Sequence, residues 1–93
     1  MRFEWDENKE RVNLAKHAVS FKLAEKVWND PHVWTYFDRF EEGEARYHAV
    51  GVVAGLTILT VVHTYRDANG QEVIRIIGAR RATRHEKSAY ENG

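Results

Sequence analysis

Apolar residues follow two periods along this chain, helical up to Pro31 and strand-like beyond it. Leu23, Ala24, Val27 and Trp28 recur at helical spacing behind Ser20, which stands where an N-cap would. An earlier helix is predicted from an N-cap at Asp6 to about His17, with Val12, Leu14 and Ala15 as a thin apolar stripe. Asn29-Asp30-Pro31 ends the second helix, because proline disfavours helical geometry in the residue before it. Phe3-Glu4-Trp5 reads as a very short strand or an extended arm.

Beyond Pro31 the chain is β-branched and aromatic. Val33–Phe40, Ala45–Val53, Leu56–Tyr65 and Val73–Ala79 read as strands. Glu41-Glu42-Gly43-Glu44 is a polar turn, Ala54-Gly55 joins the next two runs, and Asn69-Gly70 is the strongest hairpin signal. A last helix over Thr83–Glu91 opens on a capping box, Thr83 to Glu86, in which each side chain satisfies the other's backbone N–H. The order is helix, helix, four strands, helix. Short connections predict a single α+β domain over residues 1–93, an antiparallel meander with its helices on one face.

Register decides which side chains share a face. A two-residue loop at Ala54-Gly55 pairs Val53 with Leu56. Arg46 then falls opposite His63, and His48 is its diagonal neighbour. One face carries Glu44, Arg46, His48, His63 and Tyr65, while Tyr47, Ala49, Val53, Leu56, Ile58 and Val62 form the core face. A two-residue loop at Asn69-Gly70 sets His63 against Ile76 and puts Arg80 on the histidine face. A five-residue loop there puts Arg75 on it instead. Strand alternation admits one of the two, and Arg80, at the strand end, is the favoured one.

Charge sharpens this picture. The 14 Lys and Arg balance the 14 Asp and Glu, so a broad nucleic-acid coat is not expected. Between Val73 and Lys87, however, five bases (Arg75, Arg80, Arg81, Arg84, Lys87) meet one acid, Glu86. A basic strand-to-helix corner suits an anion such as a phosphate backbone. There is no cysteine, which fits a reducing cytoplasm. No apolar run reaches the length of a membrane span, and the N-terminus shows no signal-peptide pattern.

Two imidazoles, two guanidiniums and a tyrosine on one surface form the inventory for metal-independent RNA cleavage. A base takes the 2′-OH proton, an acid protonates the leaving 5′-oxygen, and cations hold the phosphorane charge. Histidine titrates near neutrality, and arginine grips phosphate bidentately. Arg46, His48, His63 and Arg80 are therefore the candidate catalytic residues. Lys16, Arg75, Arg81, Arg84 and Lys87 are the candidates for RNA binding. No HExxH or comparable spacing marks a metal site, and no cofactor is expected.

FEWDENKERVNLAKHAVSF with AEKVWNDP, then GEARYHAVG, then IRIIGARRATRHEKSAYE, resemble the three signature blocks of the BrnT-type toxins of bacterial type II toxin–antitoxin systems, in the same order. The resemblance implies a RelE-like fold, helices on one side of a four-stranded antiparallel sheet and a ribonuclease site on the other. It implies RNA cleavage that blocks translation, a BrnA-type antitoxin as partner, and contact with operator DNA only through that antitoxin. Arg46 and Arg80 match the family's recurrent basic positions. Ala18 stands where glycine is usual, and Gly78 where serine is usual. The rival readings are a non-catalytic module that binds a DNA-binding partner through its basic surface, and a direct DNA-binding regulator. Neutral charge and the lack of a helix-turn-helix signal weigh against the latter.

Overall fold

The computed structural model describes residues 1–93. Its strands are β1 (Arg2–Glu4), β2 (Trp34–Glu41), β3 (Glu44–Val53), β4 (Thr57–Ala68) and β5 (Gln71–Arg81). They form one five-stranded sheet in the order β1-β5-β4-β3-β2. The expected four-stranded antiparallel sheet is thus corrected: the N-terminal arm becomes a fifth strand, parallel to β5, with Phe3 opposite Ile74. The arm is held there because Phe3 packs its ring against Trp28, at a centroid distance of 5.3 Å. The other strand pairs are antiparallel.

Helix α1 (Glu7–His17) starts where expected, with the Asp6 carboxylate accepting from the Asn8 N–H at 2.9 Å. It ends on Ala18 in the left-handed region, φ 58°. Its Asn13 seals the edge of β5 that β1 does not reach. The Asn13 amide donates to Ala79 O at 2.8 Å, and its carbonyl accepts from Ala79 N at 3.1 Å. The expected second helix is shorter than its pattern suggests. Helix α2 (Phe21–Ala24), capped by Ser20, is one turn and passes into a 3-10 helix, Glu25–Asn29. That segment lies hard against β3, where Gly51 is required. A Cβ there would meet Val27 Cγ1 at 2.9 Å and the Val27 carbonyl at 3.1 Å.

The core lies between these helices and the sheet. Phe21, Ala24 and Val27 pack on Ala49, Val53, Leu59, Val61, Ile74, Ile76 and Ala79. A buried Phe, Leu or Ile contributes about 2 kcal/mol relative to exposure. Helix α3 (Arg84–Asn92) lies on the opposite face, where its Glu86 bonds Thr60 and Arg80. The expectation that all helices share one face is therefore corrected. Tyr90 ties the far end of α3 back to Asp30, which also accepts the Val52 N–H at 2.8 Å. No helix is long and apolar enough to cross a membrane.

Three details of register decide where the chemistry sits. First, Asn69-Gly70 forms the expected two-residue loop, pairing Ala68 with Gln71, with both loop residues at positive φ. Second, the other hairpin has a three-residue loop, so Val53 pairs with Thr57 instead of Leu56. Leu56 stays in solvent at 91% exposure while Leu59 and Val61 enter the core beside Ala49. The register with Leu56 inward would have turned Leu59 and Val61 outward. Third, β5 bulges between Gly78 and Ile76, which face Val62 and His63. The extra residue resets the alternation. Arg75 faces Thr64 and Arg80 faces Thr60, so both arginines lie on one side of the sheet. The expected exclusion of one by the other is thus corrected.

Candidate active site

The face that carries α3 gathers a compact polar cluster. Strand β2 contributes Tyr36, opposite His48 on β3, and Arg39, opposite Arg46. A bulge at Asp38 between those pairs keeps Tyr36 and Arg39 on the same side. Strand β4 contributes Thr60, β5 contributes Arg80, and α3 contributes Glu86.

Glu86 is the hub. The capping box forms as expected: Glu86 N donates to Thr83 Oγ1 at 3.1 Å, and Thr83 N donates to Glu86 Oε1 at 2.8 Å. The same carboxylate also accepts from Thr60 Oγ1 at 2.9 Å and from Tyr36 Oη at 2.7 Å. Arg80 grips it with a fork, Nη1 to Oε1 at 2.7 Å and Nη2 to Oε2 at 3.1 Å. Burial alone would raise the Glu86 pKa. The Arg80 fork, the Thr83 N–H and the two hydroxyls outweigh it and hold the group ionised, far below the usual carboxylate range.

His48 lies next to this hub. Its Nδ1 is 2.7 Å from Tyr36 Oη, and its Nε2 is 3.5 Å from Asp38 Oδ2. Burial pushes its pKa below the ordinary imidazole value. Asp38 and Glu86 pull it up, and Arg80 and Arg39 push it down. Tyr36 is shifted upward by burial and by Glu86, so its hydroxyl stays protonated. Arg46 is 8% exposed; its Nη1 reaches Glu41 Oε2 at 3.3 Å and its buried Nε has no partner.

His63 is not part of this cluster. The one-residue change in the β3–β4 hairpin places it opposite Tyr47, on the helix-covered face, so the expectation that His48 and His63 share a surface is corrected. His63 is fully buried among Trp28, Tyr47 and Tyr65. Its Nδ1 lies 3.1 Å from Val61 O, and its Nε2 is buried without a partner. Burial lowers its pKa to about 4, with Val61 O opposing. Tyr65 accompanies it to that side.

The basic residues are spread more widely than the sequence suggests. Arg80 reaches the cluster but is engaged by Glu86. Arg81 faces Leu59 across the strands and so points to the other side of the sheet. Arg84 and Lys87 are exposed on the first turns of α3. Arg75 lies near the far end of β5, 3.8 Å from Glu4 Oε2. Lys16 projects from α1 at the β5 edge, beside Lys9 and His17. Tyr36, Asp38, Thr60 and Glu86 belong to the cluster and were not singled out from the sequence. Only Glu86 carried a signal, the capping box, and that signal speaks of a helix end rather than of a site. No group of three His, Cys, Asp or Glu side chains converges as a metal site would.

The profile of the family "Ribonuclease toxin, BrnT, of type II toxin-antitoxin system" matches residues 5–86. Among solved structures, the chain is similar to the ribonuclease toxin BrnT of Brucella abortus. The two are 27% identical with a TM-score of 0.61, over 90% of this chain and 99% of that one. No curated protein matches the chain.

Proposed function

The chain belongs to the BrnT family of ribonuclease toxins of type II toxin–antitoxin systems, and from that premise we propose that it is a metal-independent endoribonuclease, RelE-like in kind, acting in the cytoplasm to block translation. The observation that carries this reading is the cluster on one face of the sheet in which the His48 imidazole lies among Glu86, Asp38 and the guanidiniums of Arg80 and Arg39, with Arg46 on the same face. His48 takes the proton of the ribose 2′-OH. The 2′-oxygen attacks phosphorus as the bond to the 5′-oxygen breaks, giving a 2′,3′-cyclic phosphate. The guanidinium charge of Arg46 opposes the negative charge of the phosphorane. With His63 on the other face, the cluster supplies no second imidazole as acid, and the departing 5′-oxygen takes its proton from solvent to leave as a hydroxyl. Arg84 and Lys87 hold flanking phosphates, with Arg75, Arg81 and Lys16 at the margin. The partner is an antitoxin of the BrnA type, through which alone the pair touches operator DNA.

The test is incubation of the purified protein with a long RNA in EDTA, followed by analysis of the fragment ends. Cyclic-phosphate and 5′-hydroxyl ends that disappear in His48→Gln are the expected result. Cleavage unchanged in that variant defeats the assignment of His48. If neither free RNA nor RNA on translating ribosomes is cut, the alternative stands, a non-catalytic module that binds its partner through the same face.

A further inference from the structure

We infer that Tyr36 and Glu86 are positioning residues that set the tautomer of His48, so that Nδ1 carries the hydrogen and Nε2 is the nitrogen able to take a proton. The purpose of this arrangement rests on the ribonuclease reading; its geometry does not.

Tyr36 Oη lies 2.7 Å from Glu86 Oε2 and 2.7 Å from His48 Nδ1, and it has one hydrogen to give. Glu86 is ionised and can only accept, so the hydroxyl hydrogen goes to Glu86. A second short contact to the same oxygen is then favourable only if Nδ1 donates. In neutral imidazole a hydrogen on Nδ1 leaves Nε2 bare. Asp38 Oδ2, 3.5 Å from Nε2, stands ready to stabilise the imidazolium once a proton arrives. The charged and titratable groups around the ring are Tyr36, Asp38 and Arg39 from β2, Arg80 from β5 and Glu86 from α3.

Arg80 changes meaning in this light. Its forked bond to Glu86 makes it the counter-ion that keeps Glu86 ionised and in place, rather than a clamp standing free for phosphate. Thr60 Oγ1 and Thr83 N fix the same carboxylate from two other directions. The helix cap and the orientation of the base are thus served by one side chain.

Imidazole nitrogen NMR on the whole 15N-labelled chain near neutral pH tests this without RNA, with His48→Gln identifying the signals. The expected spectrum shows His48 with a protonated Nδ1 and a bare Nε2. In Tyr36→Phe, which removes the acceptor for Nδ1, the hydrogen moves mainly to Nε2, facing Asp38. A wild-type His48 protonated at Nε2 overturns the inference, and so does a tautomer unchanged in Tyr36→Phe. The wild-type spectrum decides even where that variant fails to fold. With RNA as substrate, Tyr36→Phe lowers kcat by about tenfold or more with KM unchanged, as expected for a base held in the wrong tautomer. A rise in KM with kcat intact overturns the positioning role. A chain that shows the expected tautomer and cleaves no RNA refutes the ribonuclease reading and leaves the geometry standing.

Discussion

His48 and His63 sit on adjacent strands, one register step apart, yet on opposite faces of the sheet. His63 lies in an aromatic box under the 3-10 helix, with one nitrogen aimed at a backbone carbonyl and the other at nothing. Its surroundings favour the neutral ring. His48 is also largely buried, but what surrounds it is charged: a carboxylate hub, two arginines and an aspartate. The same side chain becomes core on one face and part of a charged cluster on the other. Burial does not separate the two; the charges and donors within reach do.

The largest expected contrast between them is catalytic. His48→Gln lowers the rate of RNA cleavage by about a hundredfold or more, the usual worth of a general base. His63→Phe keeps activity within a few-fold of wild type. A cleavage assay on both folded variants checks this, and equal losses would dissolve the contrast.

Next comes the support of the polar face. Glu86→Ala leaves Arg80, Thr60 and Tyr36 without their shared acceptor and removes the α3 cap. It lowers stability by about 3 kcal/mol, read from urea unfolding. A loss under about 1 kcal/mol would show that the hub is not a structural keystone.

The core histidine is tested by pH. The folded pKa of His63, about 4, lies below the unfolded value near 6.5. The unfolded chain therefore binds more protons between those two values, so stability is full above pH 6.5 and falls as the pH drops toward 4. The loss from His63 alone is about 3 kcal/mol. His48, shifted in the same direction, adds to the slope. His63→Phe flattens the curve of unfolding free energy against pH in this window; an unaltered curve would mean the imidazole is not buried neutral.

The smallest effect lies away from both faces. Ala18 holds a left-handed conformation, one that glycine adopts without a Cβ penalty, at φ 58°. Ala18→Gly relieves that strain and raises stability by about 1 kcal/mol. Thermal unfolding checks it, and a fall in Tm would mean the cap is unstrained.

Much of the fold could be read locally. The caps at Asp6, Ser20 and Thr83, the stop at Pro31 and the Asn69-Gly70 hairpin act within a few residues of themselves, and each sits where the pattern put it. The site was legible only in part. Arg46, His48 and Arg80 do meet on one face. His63 leaves it, and Tyr36, Asp38, Thr60 and Glu86 enter from three separate elements. No sequence spacing links β2 to β4 and α3.

The sequence by itself determined the caps at which the helices start, the hairpin at Asn69-Gly70 and, through its three signature blocks, the family. Tertiary structure decided which side each residue faces. Strand alternation has a period of two, so one extra residue in a loop, or one bulge, sends all that follows to the other face. The energy that chose among these registers is long-range. Burying Leu59 and Val61 against Ala49, under α2 and the 3-10 helix, carried His63 inward with them. Local propensity at Ala54-Gly55-Leu56 does not register that gain. The position of α3 was likewise decided by Glu86 finding Thr60, Tyr36 and Arg80 at once, a condition met only after the sheet exists.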